Sequence, residues 1–208
     1  MPGSRPSIEL HRFDLPDGVD FGDVVAVDTE TMGLDLHRDR LCLVQLSAGD
    51  DTAHLVHFPE PRYDAPNLRA LIGDPRRTKL FHFARFDVAV LRHYLEVSAL
   101  PLYCTKIASK LARTYTDRHG LKDLCKELLN IDLSKQQQSS DWGAAELSRA
   151  QLKYAGQDVL YLHAIRERLD DMLDREGRRE LAEACFRFVP TRVDLDLGGW
   201  VAEDIFAH

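Results

Sequence analysis

The sequence predicts a mixed α/β domain, a central β-sheet flanked by helices. Three observations point there. Val24–Val27 is a short, β-branched apolar run that leads into Asp28-Thr29-Glu30-Thr31. Leu41–Ser47 and Thr52–Phe58 are two further apolar runs, split by the turn residues Gly49-Asp50-Asp51. From Ser148 onward, apolar residues recur at helical rather than strand spacing.

Taken in order, Val24–Asp28 reads as a central buried strand, followed by a turn at Gly33. The two runs after it form an antiparallel hairpin. Asn67–Ile72 is a short helix stopped by Gly73, and Lys79–Phe83 is a fourth strand. Helices follow over Phe86–Tyr94, Thr105–Ala112 and Leu121–Leu129. Ser148 with Gln151 three residues later makes a capping box. Leu152, Ala155, Val159, Leu162, Leu169 and Leu173 then predict one helix through about residue 174. Gly177 interrupts, and Arg179–Phe188 is a last helix that Pro190 ends. The organisation expected is a domain over residues 1–175, with its core at about 22–175, and a C-terminal helix and tail over 176–208 packed on the same body.

Composition narrows the possibilities. A chain of 208 residues, 44% hydrophobic, is large enough for a substantial core. Its apolar stretches are too short to span a membrane. The first residues lack the apolar segment of a secretory signal, so a cytoplasmic location is expected. Cys42, Cys104, Cys125 and Cys185 form no CxxC pair and read as reduced thiols. A net charge of −7 argues weakly against nucleic acid. Yet residues 69–118 carry ten Lys/Arg against four Asp/Glu, which suggests either a phosphate-tracking face or solvated helix surfaces. The first option predicts activity that falls steeply with salt.

Four carboxylates beside apolar runs suggest the chemistry. Asp28 and Glu30 are two apart on a strand and face the same side. Tyr154 and Asp158 are four apart on a helix and project together, roughly 6 Å apart at Cβ. Asp87 lies in FHFARFDVAVL. Converging carboxylates repel one another, and divalent cations resolve that conflict. The set suits two Mg²⁺ or Mn²⁺ ions and phosphodiester hydrolysis. Asp28 would bridge the ions, Glu30 and Asp158 would complete one site, and Asp87 would hold the second. Tyr154 would orient or deprotonate the attacking water. Each signal taken alone also fits a solvated turn, a packed helix or, for Asp87, a favourable helix N-terminus.

The motifs DTET, FDVAVL and YAGQD resemble those of the DEDD exonucleases in their tyrosine-containing branch, over about residues 22–175. GLKDLCKELLNIDLSKQQQSSDW and LSRAQLKYAGQDVLYL resemble the ribonuclease D family more than polymerase proofreading domains. The resemblance implies an RNase H-like fold and 3′-to-5′ release of 5′-monophosphates from single-stranded 3′ ends, RNA ahead of DNA. It makes Asp28, Glu30, Asp87 and Asp158 metal ligands and Tyr154 the water-positioning residue. It also places Thr31 and the backbone of Met32 and Gly33 at the terminal nucleotide, and Leu34 as an apolar wedge. Polymerase-type members often have Asn where Phe83 stands, and ribonuclease D-like members often have His where His82 stands, so the resemblance makes both candidate substrate contacts, His82 being equally a hydrogen-bonded core histidine. Larger ribonuclease D proteins carry helical nucleic-acid-binding domains after the core, and none is expected after residue 175. Weak substrate grip follows, unless the chain oligomerises or borrows a partner.

Further substrate contacts are expected from Trp142, which could stack on a base or pack beneath the Ser148 helix. Lys135 and Arg113 are phosphate candidates. Arg85 could steer the phosphate backbone or neutralise the acidic cluster. Two competing readings are the same chemistry on DNA and a non-catalytic nucleic-acid-binding adaptor.

Overall fold

The computed structural model describes residues 6–133 and 140–208. Lys135, expected to touch phosphate, lies outside the described residues. A six-stranded sheet runs through the described residues in the order β1-β4-β3-β2-β5-β6. Its strands are β1 (Ser7–Arg12), β2 (Val24–Thr31), β3 (Leu41–Ser47), β4 (Thr52–His57), β5 (Thr78–Phe81) and β6 (Leu102–Cys104). The β2–β3–β4 meander is antiparallel, while β1, β5 and β6 add in parallel. β3 is buried along its whole length, as a run of apolar side chains under helices requires.

Seven helices complete the described fold: α1 (Pro66–Gly73), α2 (Ala84–Leu95), α3 (Thr105–Ala112), α4 (Leu121–Leu129), α5 (Arg149–Leu160), α6 (Leu162–Arg175) and α7 (Arg179–Leu197). α5 lies across β4, β3 and β2, while α7 packs on α2, α3 and β6. Gly156 of α5 rests on the sheet, where a Cβ would come within 3.3 Å of Ala53 Cβ. None of the described helices is long and apolar enough to cross a membrane.

Several elements differ from the sequence expectation. β1 and β6 are edge strands of six and three residues, too short and, in β1, too polar to declare themselves. The fourth strand stops at Phe81, because Phe83 turns into a left-handed conformation (φ 70°) and opens α2. The long helix after Ser148 is two helices, broken at Tyr161 (φ −103°, ψ −3°), which lets α6 turn from the sheet toward α3 and α4. Pro190 does not end α7. Proline removes one intrahelical bond, but Phe186, Val189 and Val193 are buried along one face and hold the helix through it.

The basic stretch is corrected as well. Lys79 is buried, its ammonium capping the carbonyls of Asp74, Arg77 and Leu100. Arg69, Arg76, Arg77 and Arg92 pair with Glu96, Asp74, Asp20 and Asp194. Arg113 is fully buried. It donates to Ser109 Oγ (2.9 Å), the Arg118 carbonyl (2.7 Å) and the Glu127 carboxylate. A guanidinium so enclosed has no path to a phosphate. Arg113→Ala should therefore cost about 2–4 kcal/mol in stability, from lost packing and orphaned partners. Urea midpoints would read that loss, and KM per folded molecule should not move.

Candidate metal centre and substrate cleft

Asp28 and Glu30 emerge at the end of β2, on the same side of the central strand. Asp158 reaches them from α5, which the Ser148/Gln151 capping box starts. Carboxylate oxygens of Asp28, Glu30 and Asp158 all lie within 4.8 Å of one another. Asp87, on the first turn of α2, is buried beside them and accepts a hydrogen bond from the Thr29 hydroxyl (2.7 Å). So residues from three separate parts of the chain meet in one cleft.

The electrostatics are those of an unneutralised anion cluster. Burial, then Asp87, Asp158 and Glu30, push the Asp28 carboxyl well above the usual carboxylate range. Glu30 is raised by burial, then by Asp158 and Asp87. Burial raises Asp87, and the Thr29 hydrogen bond partly offsets this; burial also raises Asp158. An all-oxygen donor set that repels itself fits a hard divalent cation, with Asp28, Glu30 and Asp158 as the inner group. The other described group with metal-holding potential, Glu9, His11 and His54, lies on β1 and β4, where the two imidazoles hydrogen-bond each other at 3.1 Å.

Tyr154 stands one turn before Asp158, with its phenol raised by burial and by Asp158, Glu30 and Asp28. The neutral phenol is thus favoured, which suits a hydrogen-bonding orienter of water better than a base. Trp142 is only 2% exposed, and its ring centroid lies 6.1 Å from that of Tyr154. It backs Tyr154 and offers no face for base stacking, which corrects the expected substrate contact.

Gln45 was not singled out in the sequence. It sits directly opposite Asp28 across the β2–β3 ladder and donates from Nε2 to Asp28 Oδ2 (3.1 Å). The signal was available: a lone amide in the apolar strand LCLVQLS, in register with the acidic strand end.

The remaining positions surround the cleft. Thr31 closes β2 by donating to the Gly33 carbonyl. A Cβ at Gly33 would run into the Asp39 carboxylate, which would have to shift to make room. Met32 and Leu34 are exposed on that turn, Leu34 at 85%. Thr105 donates its hydroxyl proton to the Phe81 carbonyl (3.2 Å), so at 2.9 Å it accepts from His82 Nδ1–H. His82 Nε2 is then left as an acceptor. Burial, with Lys106 nearby, pulls His82 down to about 3 and keeps it neutral. His82, Phe83, Tyr154 and Asp158 line one cavity of about 290 Å³.

Arg85 neither steers phosphate nor faces the acidic cluster. It makes a two-pronged bond to the buried Asp196 (2.6 and 2.7 Å) and donates to the Val201 carbonyl. Arg192 holds the same carboxylate at 2.8 Å. The C-terminal tail is thereby fastened to the start of α2.

An oxygen-donor cation centre at the end of the central strand of a mixed α/β sheet, with a phenol beside it, defines the class: a metal-dependent hydrolase on an exonuclease-type fold. The profile of the family described as 3′-5′ exonuclease matches residues 16–174. The chain belongs to this 3′-5′ exonuclease family. A ribonuclease D from Gluconacetobacter diazotrophicus is 35% identical over 74% of the chain and 39% of its own length. The chain thus spans about two-fifths of the length of these ribonuclease D relatives. The solved structure of Brucella melitensis NrnC bound to pGG superposes with a TM-score of 0.94 at 56% identity, covering 97% of this chain and 98% of that one. Brucella melitensis NrnC with bound Mg²⁺ gives 0.93 at 55%, covering 97% and 99%.

Proposed function

We propose that this protein is a 3′-to-5′ exoribonuclease of the ribonuclease D type, hydrolysing single-stranded 3′ ends and releasing 5′-monophosphates. The observation that carries the reading is the convergence of Asp28, Glu30 and Asp158 within 4.8 Å, with Asp87 and Tyr154 beside them. Asp28 would be the ligand shared by two cations, with Glu30 and Asp158 completing one site and Asp87 serving the second. When bound, a pair of Mg²⁺ or Mn²⁺ ions supplies the Lewis acidity that an in-line phosphodiester displacement needs. Tyr154 donates to and orients the attacking water. Thr31, the backbone of Met32 and Gly33, and Leu34 receive the terminal nucleotide. Residues 176–208 complete the same domain.

Likeness to NrnC with pGG supports very short substrates, and we extend the reading to 5′-phosphorylated dinucleotides. A short substrate also suits the charge census. Once Lys79, Arg113 and the paired arginines are set aside, the stretch 69–118 leaves Lys106, Lys110 and Arg118 to meet phosphate. The steep salt dependence expected from the raw sequence gives way to a shallow one. Trp200, Val201, Ile205 and Phe206 are exposed at the tail and favour self-association of copies, which light scattering would read.

The test is a timed digestion of end-labelled single-stranded RNA, matched DNA and 5′-phosphorylated dinucleotides, with and without chelator. Stepwise shortening from the 3′ end, RNA ahead of DNA and abolished by chelator, is expected. Shortening of DNA alone would replace the substrate class. Binding without any cleavage in Mg²⁺ or Mn²⁺ would favour an adaptor.

A further inference from the structure

Glu9, His11 and His54 are a second donor set, and the sheet register puts them on the face opposite the carboxylate cleft. Asp28, Gln45, Leu55 and Leu10 are lateral neighbours across β2, β3, β4 and β1, so they share one face. His54 is next to Leu55, and Glu9 and His11 flank Leu10, so these three project from the other face. The same register pairs Glu9 directly with His54. One donor atom from each side chain lies within 4.8 Å of the other two. His11 Nε2 and His54 Nδ1 are 3.1 Å apart, and Glu9 Oε2 is 3.5 Å from the same His54 nitrogen. Ligands held about 2.0–2.1 Å from a tetrahedral zinc lie about 3.3 Å from one another. These two separations therefore already match a ligand shell. Phe21 steadies the centre of the group, its ring meeting the His54 imidazole edge-on at 5.2 Å. His54 is buried, His11 half-buried and Glu9 exposed, so a cation can enter from the Glu9 side and keep a water.

We propose that Glu9, His11 and His54 form a zinc site, with water as the fourth ligand, that fastens the first strand to the sheet. Two imidazole nitrogens and one carboxylate oxygen select a borderline dication of the zinc type over Mg²⁺, the reverse of the all-carboxylate cleft. Neutral imidazole is the ligating form, and burial, then the neighbouring His54, hold His11 below its ordinary value. On binding, the proton shared by the two ring nitrogens moves to the far nitrogen of its own ring, and both lone pairs turn to the cation. β1 gains most from such a clasp: it is six residues long, mostly exposed, and bonded to the sheet on one side only. Glu9 and His11 precede residues 16–174, so two of the three donors lie outside the family's shared core. The site is independent of the exonuclease reading and would stand if that reading failed.

Calorimetric titration of the full chain with Zn²⁺, in excess Mg²⁺, tests it. Wild type should take up one Zn²⁺ that Mg²⁺ does not displace. Glu9→Gln and His11→Gln should each weaken that uptake at least about 100-fold, the upper end of what losing an outer-shell partner costs. Glu9 is exposed, so Glu9→Gln should keep the metal-free Tm of wild type and separate a lost ligand from a lost fold. Asp28→Asn should retain the ion. With Co²⁺ in place of Zn²⁺, the visible absorption of a tetrahedral centre should appear in wild type and Asp28→Asn and vanish in His11→Gln. Free Zn²⁺ at about 100 times Kd should raise the wild-type Tm by about 5–10 °C and slow amide exchange over residues 7–12, with neither effect in the two β1 variants. No Zn²⁺ uptake by wild type in Mg²⁺ would overturn the site and leave a hydrogen-bonded histidine pair. Uptake unchanged in His11→Gln but lost in Asp28→Asn would assign the ion to the carboxylate cleft and overturn it as well.

Discussion

Asp28→Asn should remove turnover, by on the order of 10³-fold or more, and at the same time make the cation-free protein more resistant to heat. The two effects share one cause. Asp28 is buried among Asp87, Asp158 and Glu30, and its carboxyl is raised well above the ordinary range. A folded-state pKa above the unfolded value of about 4 means that stability is fullest below that value. It is lost progressively as pH rises toward the folded pKa. The amide carries no such penalty. In chelator, the Tm advantage of Asp28→Asn over wild type should thus be larger at pH 8 than at pH 5. Adding Mg²⁺ or Mn²⁺ should stabilise wild type and reduce that advantage. Calorimetry at two pH values, with and without cation, checks all three statements. A variant that is less stable than wild type in chelator at pH 8 would mean that the carboxylates do not crowd one another.

Tyr154→Phe should cost about 10²-fold in kcat while leaving cation affinity near wild type. The ring would still pack against Trp142, so the fold around it persists. What disappears is the hydroxyl beside Asp158. Burial and the surrounding carboxylates keep that hydroxyl protonated, so no fall in rate toward low pH should be traceable to it. Single-turnover rates paired with calorimetric titration of Mn²⁺ separate the two quantities. Unchanged turnover would free Tyr154 from any part in the chemistry.

The central meander and the acidic pairs were legible because short-range periodicity governs them. Alternation along β2 puts Asp28 and Glu30 on one side, and the helical repeat of α5 stacks Tyr154 over Asp158. What escaped depends on partners far away in sequence. Arg113 and Lys79 look like surface cations in a basic stretch; only tertiary packing encloses them. Arg85 looks like an active-site cation until Asp196, 111 residues later, takes it. Pro190 breaks a helix by local rules, yet Val189 and Val193 keep α7 continuous against its neighbours. Gln45 matters through its cross-strand register with Asp28, a relation visible only once the hairpin is aligned.

The pairing of Arg85 and Arg192 with Asp196 has a practical consequence for anyone handling the protein. The residues from Asp196 onward look like a dispensable appendage, but Arg85, two positions from Asp87, holds both the Asp196 carboxylate and the Val201 carbonyl. A truncation or protease nick that removes Asp196 along with the tail would slacken the first turn of α2. The damage would then register as poor catalysis in a sample whose melting curve still looked sound.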